Sequence, residues 1–393
     1  MSATPPPTPP RRPKLRTTTS AEIFTRIITH GPVSRIEIGR LTGLSQAKVT
    51  KTVSPLIRDG FVTVGEHAES SSPGRPVYPL SVVPRSMLAI GVKVNADEIV
   101  AVAVSIGNEV LTSTRRALER HDPETVTREI VRCARRLIDK LGDSADRLVG
   151  LGVSASGDID TGSGVVRHSP LLGWANVPLG AAVAREVGLP VVVENDVRAL
   201  ARSEQWFGLG VEAESFAIVT IGAGIGCGIY VNSDVVVGAH GVVGEIGHLP
   251  LASPDAVCVC GRRGCVEAVA SSGAIRDAVR AGHGDPTLTL ADAVSLAHAG
   301  DRTAVDAFDR AGTAIGAALA VTANLVDPEV VVIAGEGVME YDLYERRIRE
   351  EFAAHAFGAA ANCRLVVRRH TFIDWACGAA VAAFRDALLP TAA

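Results

Sequence analysis

Two α/β lobes behind a small, basic, mostly helical head is the architecture this sequence predicts, on three observations. Residues 17–64 show helical apolar spacing interrupted by glycine turns, and they end in a short β-rich run. From Met87 onward, runs of β-branched residues alternate with helical patterns, and the alternation starts afresh near residue 216. Charge divides the chain in the same place. Residues 1–85 hold 12 Lys/Arg and 5 Asp/Glu, a balance of +7, whereas the remainder holds 27 and 38, a balance of −11. A basic head on an acidic body points to a polyanionic partner for the head and a different task for the body.

The 393 residues leave room for two to three domains, and 47% hydrophobic with 21% charged residues excludes wholesale disorder. The uncharged stretch Ala311–Val326, 16 residues long, falls short of the ~20 a bilayer span needs. No apolar signal core opens the chain, so a cytoplasmic protein with no membrane partner is expected.

The elements follow in order. Residues 1–16 contain six prolines and Arg11, Arg12, Lys14 and Arg16, and are expected to be a disordered tail. Ile23, Phe24, Ile27 and Ile28 mark a first helix, stopped by Gly31-Pro32. Ser34 caps a second helix with Glu37 placed for a capping box, and Ile36, Ile38 and Leu41 form its apolar side. Thr42-Gly43-Leu44 turns the chain into a third helix, capped by Ser45 and carrying Val49, Val53, Leu56 and Ile57. Phe61–Val64 then forms a short strand. Two helices joined by a glycine turn and followed by a strand pair make a winged helix-turn-helix, expected over residues 17–80. The third helix offers Ser45, Gln46, Lys48, Thr50 and Lys51, types suited to base edges and phosphates in a major groove. In the link Ser70–Pro76, Arg75 is a candidate for a minor groove beside the wing. A small head makes few contacts, so a homodimer or homotetramer on a palindromic double-stranded DNA operator is expected.

In the body, strands are expected at Leu88–Val94, Ile99–Val104, Val110–Arg115, Leu148–Ser154 and Val191–Val193, with helices over 123–141 and 178–188. A second set follows: strands over 216–221, 225–231 and Val330–Ile333, and helices over 272–281, 289–299, 301–326 and 374–389. The first lobe is placed at 86–205 plus 375–393 and the second at 206–374, with a cleft between them.

His248, Cys258, Cys260 and Cys265 form the sharpest local signal. Three thiolates and one imidazole suit a structural, tetrahedral Zn²⁺, one per chain, with no position open for catalysis. Gly222-Ala-Gly-Ile-Gly-Cys-Gly228 joins two strands without entering a helix, so it reads equally well as a phosphate cradle or as hairpin packing. Glu194-Asn195-Asp196 falls where a strand gives way to a helix. There a carboxylate can accept from a sugar hydroxyl, and an Asn or Asp can simply cap the helix. Glu245 and His248 lie three residues apart, and Glu267 lies two beyond Cys265. A metal would lock these side chains into one wall suited to a polyhydroxylated ligand.

Taken together, Gly244-Glu-Ile-Gly-His248, Cys258-x-Cys260-Gly-x-x-Gly-Cys265-x-Glu267, Val219–Gly228, Glu194-Asn195-Asp196 and Val331–Gly337 resemble the ROK family of repressors, open reading frames and kinases. The resemblance spans residues 17–389. It implies a two-lobed, actin-like (ribonuclease H-like) sugar-kinase fold behind the head. It also implies Asn195, Asp196, Glu245, His248 and Glu267 as sugar contacts, with Asp196 at the position of the kinase base. One departure stands out. Where kinase members carry an Asp-x-Gly-Gly-Thr phosphate loop, this chain has Lys93-Val94-Asn95-Ala96-Asp97. Phosphoryl transfer depends on positioning and charge neutralisation, so this change argues against an enzyme. The expected function is therefore a sugar-responsive transcriptional regulator, a repressor, whose former kinase cleft binds a small-molecule sugar. An ATP-dependent, glucokinase-like sugar kinase with an added DNA-binding head is the alternative. A body that docks another protein is a third reading.

Overall fold

The computed structural model describes residues 12–15, 17–66, 78–232 and 234–388. The chain divides into two compact units, Met1–Val211 with Phe372–Ala393, and Glu212–Thr371. The lobe boundaries fall a few residues from those expected at 205/206 and 374/375. The reason is local: both helices at the crossings stay whole within the first unit.

The head consists of α1 (Thr18–His30), α2 (Arg35–Thr42) and α3 (Gln46–Arg58), followed by the antiparallel pair β1 (Val62–Val64) and β2 (Leu80–Val82). Thr17 caps α1 in a reciprocal box with Ser20. Ser34 caps α2 by accepting from the Glu37 N–H, but the Glu37 carboxylate turns to Arg40 one turn on, so the expected box is half made. Gly43, in the left-handed region, ends α2 and starts the turn. Ile38 is fully buried, while Ile36, expected on the apolar side, is 58% exposed. With α2 only eight residues long, its buried stripe narrows to one residue.

The first-unit body builds on β3 (Leu88–Val94), β4 (Glu98–Ser105), β5 (Val110–Ala117), α4 (Pro123–Leu141) and β6 (Leu148–Ala155). A small antiparallel sheet of β7 (Asp158–Asp160), β8 (Val165–Ser169) and β9 (Trp174–Val177) comes next, then α5 (Leu179–Val187), β10 (Val191–Asn195) and α6 (Asp196–Phe207). The main sheet has the order β5-β4-β3-β6-β10; β3, β4 and β5 form an antiparallel meander, and β6 and β10 add in parallel. The second unit holds β11 (Ser215–Ile221), β12 (Ile225–Val231), β13 (Asp234–Val235), α7 (Glu267–Ala270), α8 (Ser272–His283), α9 (Leu290–His298), α10 (Arg302–Val326), β14 (Val330–Ala334), α11 (Glu345–His355) and β15 (Arg364–Val367). Its sheet runs β13-β12-β11-β14-β15, again a meander with two parallel strands added beside its first strand. The same 3-2-1-4-5 order in both units is the duplicated actin-like plan. The small sheet over 158–177, α11 and β15 had not been expected from sequence. Their short strands and the highly charged Glu345–His355 give weak apolar patterns.

The chain closes with α12 (Phe372–Leu388), which returns to the first unit. Side chains alternate along β3: Ile90 and Val92 join α4 in one core, while Ala89 faces the opposite core with α12. Gly91 and Gly152 allow the close approach of α12. A Cβ at either would lie 1.8 Å from a carbonyl oxygen, that of Ala376 or Ala379. The core on the α12 face is shared with the head. It unites Ile23, Phe24, Ile27, Val33, Ile38 and Leu80 with Met87, Val149, Trp206, Phe384 and Leu388. Part of the expected tail joins this unit: Pro13 is buried, and Arg12 donates to the Val149 carbonyl. No helix among the described residues is long and apolar enough to cross a membrane.

Candidate DNA-binding, ligand and metal sites

On α3, Val49, Val53 and Leu56 face the head core, which leaves the other faces to solvent. Ser45 caps the helix by accepting from the Lys48 N–H. Gln46, Lys48, Thr50 and Lys51 are all exposed, as is Ser45. The helix therefore presents a polar, cationic surface from its first turns, as a recognition helix requires. Arg75 lies outside the described residues.

Asn195 ends β10 and caps α6. Its Oδ1 accepts from the N–H groups of Val197 and Arg198, and its Nδ2 donates to the Gly157 carbonyl. The cap reading of Asn195 thus holds. Asp196, the first residue of α6, forms a buried ion pair: Lys93 Nζ lies 2.5 Å from its Oδ2. Its Oδ1 accepts from the Val197 N–H. The same ammonium sits 4.9 Å from the centroid of the Trp375 ring on α12. The alternation of β3 explains this placement, because Lys93 follows Ala89 and Gly91 onto the α12 face. Behind the pair, Glu194 is 1% exposed and held by Arg198 and Arg202, one and two turns along α6. Burial alone would push its carboxyl up. The two guanidiniums and the Asn195 N–H outweigh that and hold it below the ordinary carboxylate range. The spacing Glu194, Arg198, Arg202 was the available sequence signal for this cluster, and sequence reasoning passed it by.

The stretch matching the lost phosphate loop is a plain hairpin turn. The Asn95 N–H donates to the Glu98 carbonyl as β3 turns into β4. In the second unit, the glycine loop joins β11 to β12, and two of its backbone donors are held by carboxylates. The Ala223 N–H donates to Glu336 Oε1 at 2.7 Å, and the Ile225 N–H to Glu267 Oε2 at 3.1 Å. A Cβ on Gly222 would lie 2.2 Å from the Glu336 carboxyl carbon. The loop therefore carries a carboxylate of its own where a phosphate cradle would be open, which favours the packing reading.

His248, Cys258, Cys260 and Cys265 come together as expected, with their ligand atoms within 4.8 Å of one another. Cys258 Sγ is 3.8 Å from His248 Nδ1, and Cys260 Sγ is 3.8 Å from Cys265 Sγ; the three cysteines are free of disulfides. Backbone bonds close the loop, Cys258 N–H to the Arg262 carbonyl and Gly264 N–H to that of Ala256, with Gly261 and Gly264 in the left-handed region. Burial pushes the Cys258 thiol up to about 12 and raises Cys265, whereas the Arg262 N–H lowers Cys260. The four side chains suit one metal ion. The His248 ring has two faces to serve. Its Nδ1 looks to the thiols, and its Nε2 lies 3.9 Å from Glu245 Oε2. The Val266 N–H donates to the Leu249 carbonyl, which sets Cys265–Glu267 beside the segment that carries His248. Glu245 is exposed and Glu267 half-buried.

A winged helix-turn-helix on a duplicated kinase-like body defines a DNA-binding regulator built on a sugar-kinase scaffold. The ROK family pattern matches residues 89–384, and the chain belongs to that family. It is 28% identical over 348 residues to the xylose repressor of Caldicellulosiruptor bescii, covering 85% of this chain and 87% of the relative. Among solved structures, a ROK family transcriptional regulator homologous to the Escherichia coli MLC protein superposes with a TM-score of 0.79 at 28% identity, covering 94% and 96% of the two chains. A ROK family glucokinase from Streptomyces griseus, in complex with glucose and AMPPNP, gives 0.65 at 27% identity. It covers 76% of this chain but 99% of its own, so the match to the kinase leaves about a quarter of this chain over.

Proposed function

We propose that this protein is a sugar-responsive transcriptional repressor: α3 holds an operator, and a sugar bound by the former kinase residues loosens that hold. One observation carries the reading. Helix α6 begins at Asp196 and reaches, at Trp206, the buried cluster that contains Ile23, Phe24 and Ile27 of α1. A displacement at the ligand end of α6 is thereby passed to the head through packed side chains, which do not deform continuously.

Ser45, Gln46, Lys48, Thr50 and Lys51 are assigned to DNA, with Arg75 as a further contact beside the wing. Sugar recognition is assigned to Asn195, Asp196, Glu245, His248 and Glu267. The xylose repressor and the glucose-bound kinase among the relatives make neutral aldoses the first ligands to try. Zinc fits the cluster. Tetrahedral Zn–S bonds of ~2.3 Å set sulfurs ~3.8 Å apart, the spacing found for Cys260 and Cys265. The ion would fix the loop and, through His248 and Cys265, the positions of Glu245 and Glu267. A homodimer or homotetramer in the cytoplasm, on a palindromic operator, completes the proposal.

The kinase alternative is disfavoured by the Lys93–Asp196 pair, which places an ammonium on the carboxylate that would have to take the sugar proton. Genomic footprinting, followed by operator binding and turnover assays with ATP, Mg²⁺ and a sugar panel, tests the choice. Footprints relieved by a sugar, without turnover, are expected. Turnover at ordinary kinase rates, ~1–100 s⁻¹, would install the alternative.

A further inference from the structure

We propose that Lys93 is a positioning and specificity residue of the sugar site, whose buried ammonium holds the Asp196 carboxylate as a fixed acceptor for an unesterified sugar hydroxyl. This inference rests on the sugar-sensing reading and adds to it a residue and a ligand class.

The Lys93 side chain is 5% exposed, that of Asp196 12%. The ammonium is enclosed by its partners: Asp196 Oδ2 at 2.5 Å, and the Trp375 ring, itself 5% exposed, at 4.9 Å. A lysine so placed has no open face to offer a phosphate. What the pair shows to solvent belongs mainly to Asp196, whose carboxylate is an acceptor that attracts a hydroxyl and repels a phosphate ester. Its orientation is fixed from two sides, because the Val197 N–H holds Oδ1 while Lys93 holds Oδ2. Removing either charge leaves the other buried without its counter-charge, which costs more than the pair itself contributes. The two residues stand 103 positions apart in sequence, on β3 and α6, so no local pattern announces them.

The test measures equilibrium affinities of the full-length protein for D-xylose, D-glucose, N-acetyl-D-glucosamine, glucose 6-phosphate and N-acetylglucosamine 6-phosphate. Wild type, Lys93→Met, Lys93→Arg, Asp196→Asn and the double variant Lys93→Met/Asp196→Asn are compared. A neutral sugar should bind wild type at least ~10-fold more tightly than its phosphate ester. Lys93→Met and Asp196→Asn should each weaken that sugar ~10-fold or more, and the double variant should lose no more than the worse single, since both act through one carboxylate. Lys93→Arg should keep the affinity within ~3-fold, because the cation is retained. If Lys93→Met does not fold, Lys93→Arg and the charge-neutral double variant still carry the comparison. Preference for the phosphate ester, multiplying losses in the double variant, or an unaltered affinity in Lys93→Met each overturns the inference while leaving sugar sensing intact. If none of the five compounds binds wild type, the sugar-sensing reading fails and takes this inference with it.

Discussion

Replacing Trp206 with alanine should disconnect the ligand site from the head while leaving both able to bind. Trp206 is 3% exposed, near the end of α6, and stands edge-on to Phe207 with centroids 5.9 Å apart. It shares a cluster with Phe24 and Ile27 of the head and Phe384 of α12, all fully buried. Truncating a large buried ring to alanine costs ~3–5 kcal/mol, because the surrounding core collapses only in part. For a unit of this size each kcal/mol shifts the melting midpoint by ~2–4 °C, so a drop of ~6–20 °C is expected. Asp196 lies ten residues away, ~15 Å along the helix, so sugar affinity should change by less than ~2-fold. Coupling between sugar and operator, ~1–3 kcal/mol in a typical allosteric protein, should shrink towards zero. The assay pairs operator affinities with and without saturating sugar against thermal melts of the same samples. A variant that loses the expected stability yet keeps the full sugar response would refute α6 as the connection.

Three further outcomes can be checked on the same protein. Lys48→Ala with Lys51→Ala should weaken operator binding and flatten the log–log salt slope by ~0.9 for each phosphate no longer neutralised; an unchanged slope with intact affinity removes α3 from the interface. Cys260→Ser should lower zinc content below one ion per chain and reduce sugar affinity with it, whereas a zinc-free wild type melting at its normal temperature would contradict a structural ion. Glu194, held below its ordinary value by Arg198 and Arg202, contributes stability that is complete above pH ~4.3 and is lost as pH falls through its lower folded-state value. Thermal midpoints measured from pH 7 to 3 should fall less steeply for Glu194→Gln than for wild type, and parallel curves would show that the cluster does not titrate with folding.

Much of this was legible in the sequence because the signals were local. Ser34 and Ser45 before helical stripes, the left-handed Gly43 between them and the close-set cysteines each carry their meaning within a dozen residues. The two sheets were legible as strands, but their shared order was not. Pairing β3 with β6, or β11 with β14, joins segments dozens to more than a hundred residues apart, and nothing in either strand names its partner. The candidate site divides along the same line. The metal cluster and the Asn195 cap follow from spacing. The Lys93–Asp196 pair, the Glu336 carboxylate on the glycine loop and the head core shared with α6 and α12 arise from tertiary packing alone. Lys93 stood out in sequence as a departure from the kinase pattern, but its partner became visible only when β3 and α6 were placed side by side.

Sugar control of the operator stands most directly on one measurement: the affinity of the full-length protein for its footprinted operator, at fixed salt, with and without a neutral sugar already shown to bind it. A coupling of ~1–3 kcal/mol corresponds to a change of roughly 5–150-fold, and for a repressor relieved by its ligand the change is a weakening. That weakening is expected in wild type, and its loss in Asp196→Asn. An operator affinity that stays the same under saturating sugar would contradict the sensing role, because the body would then bind sugar without informing the head.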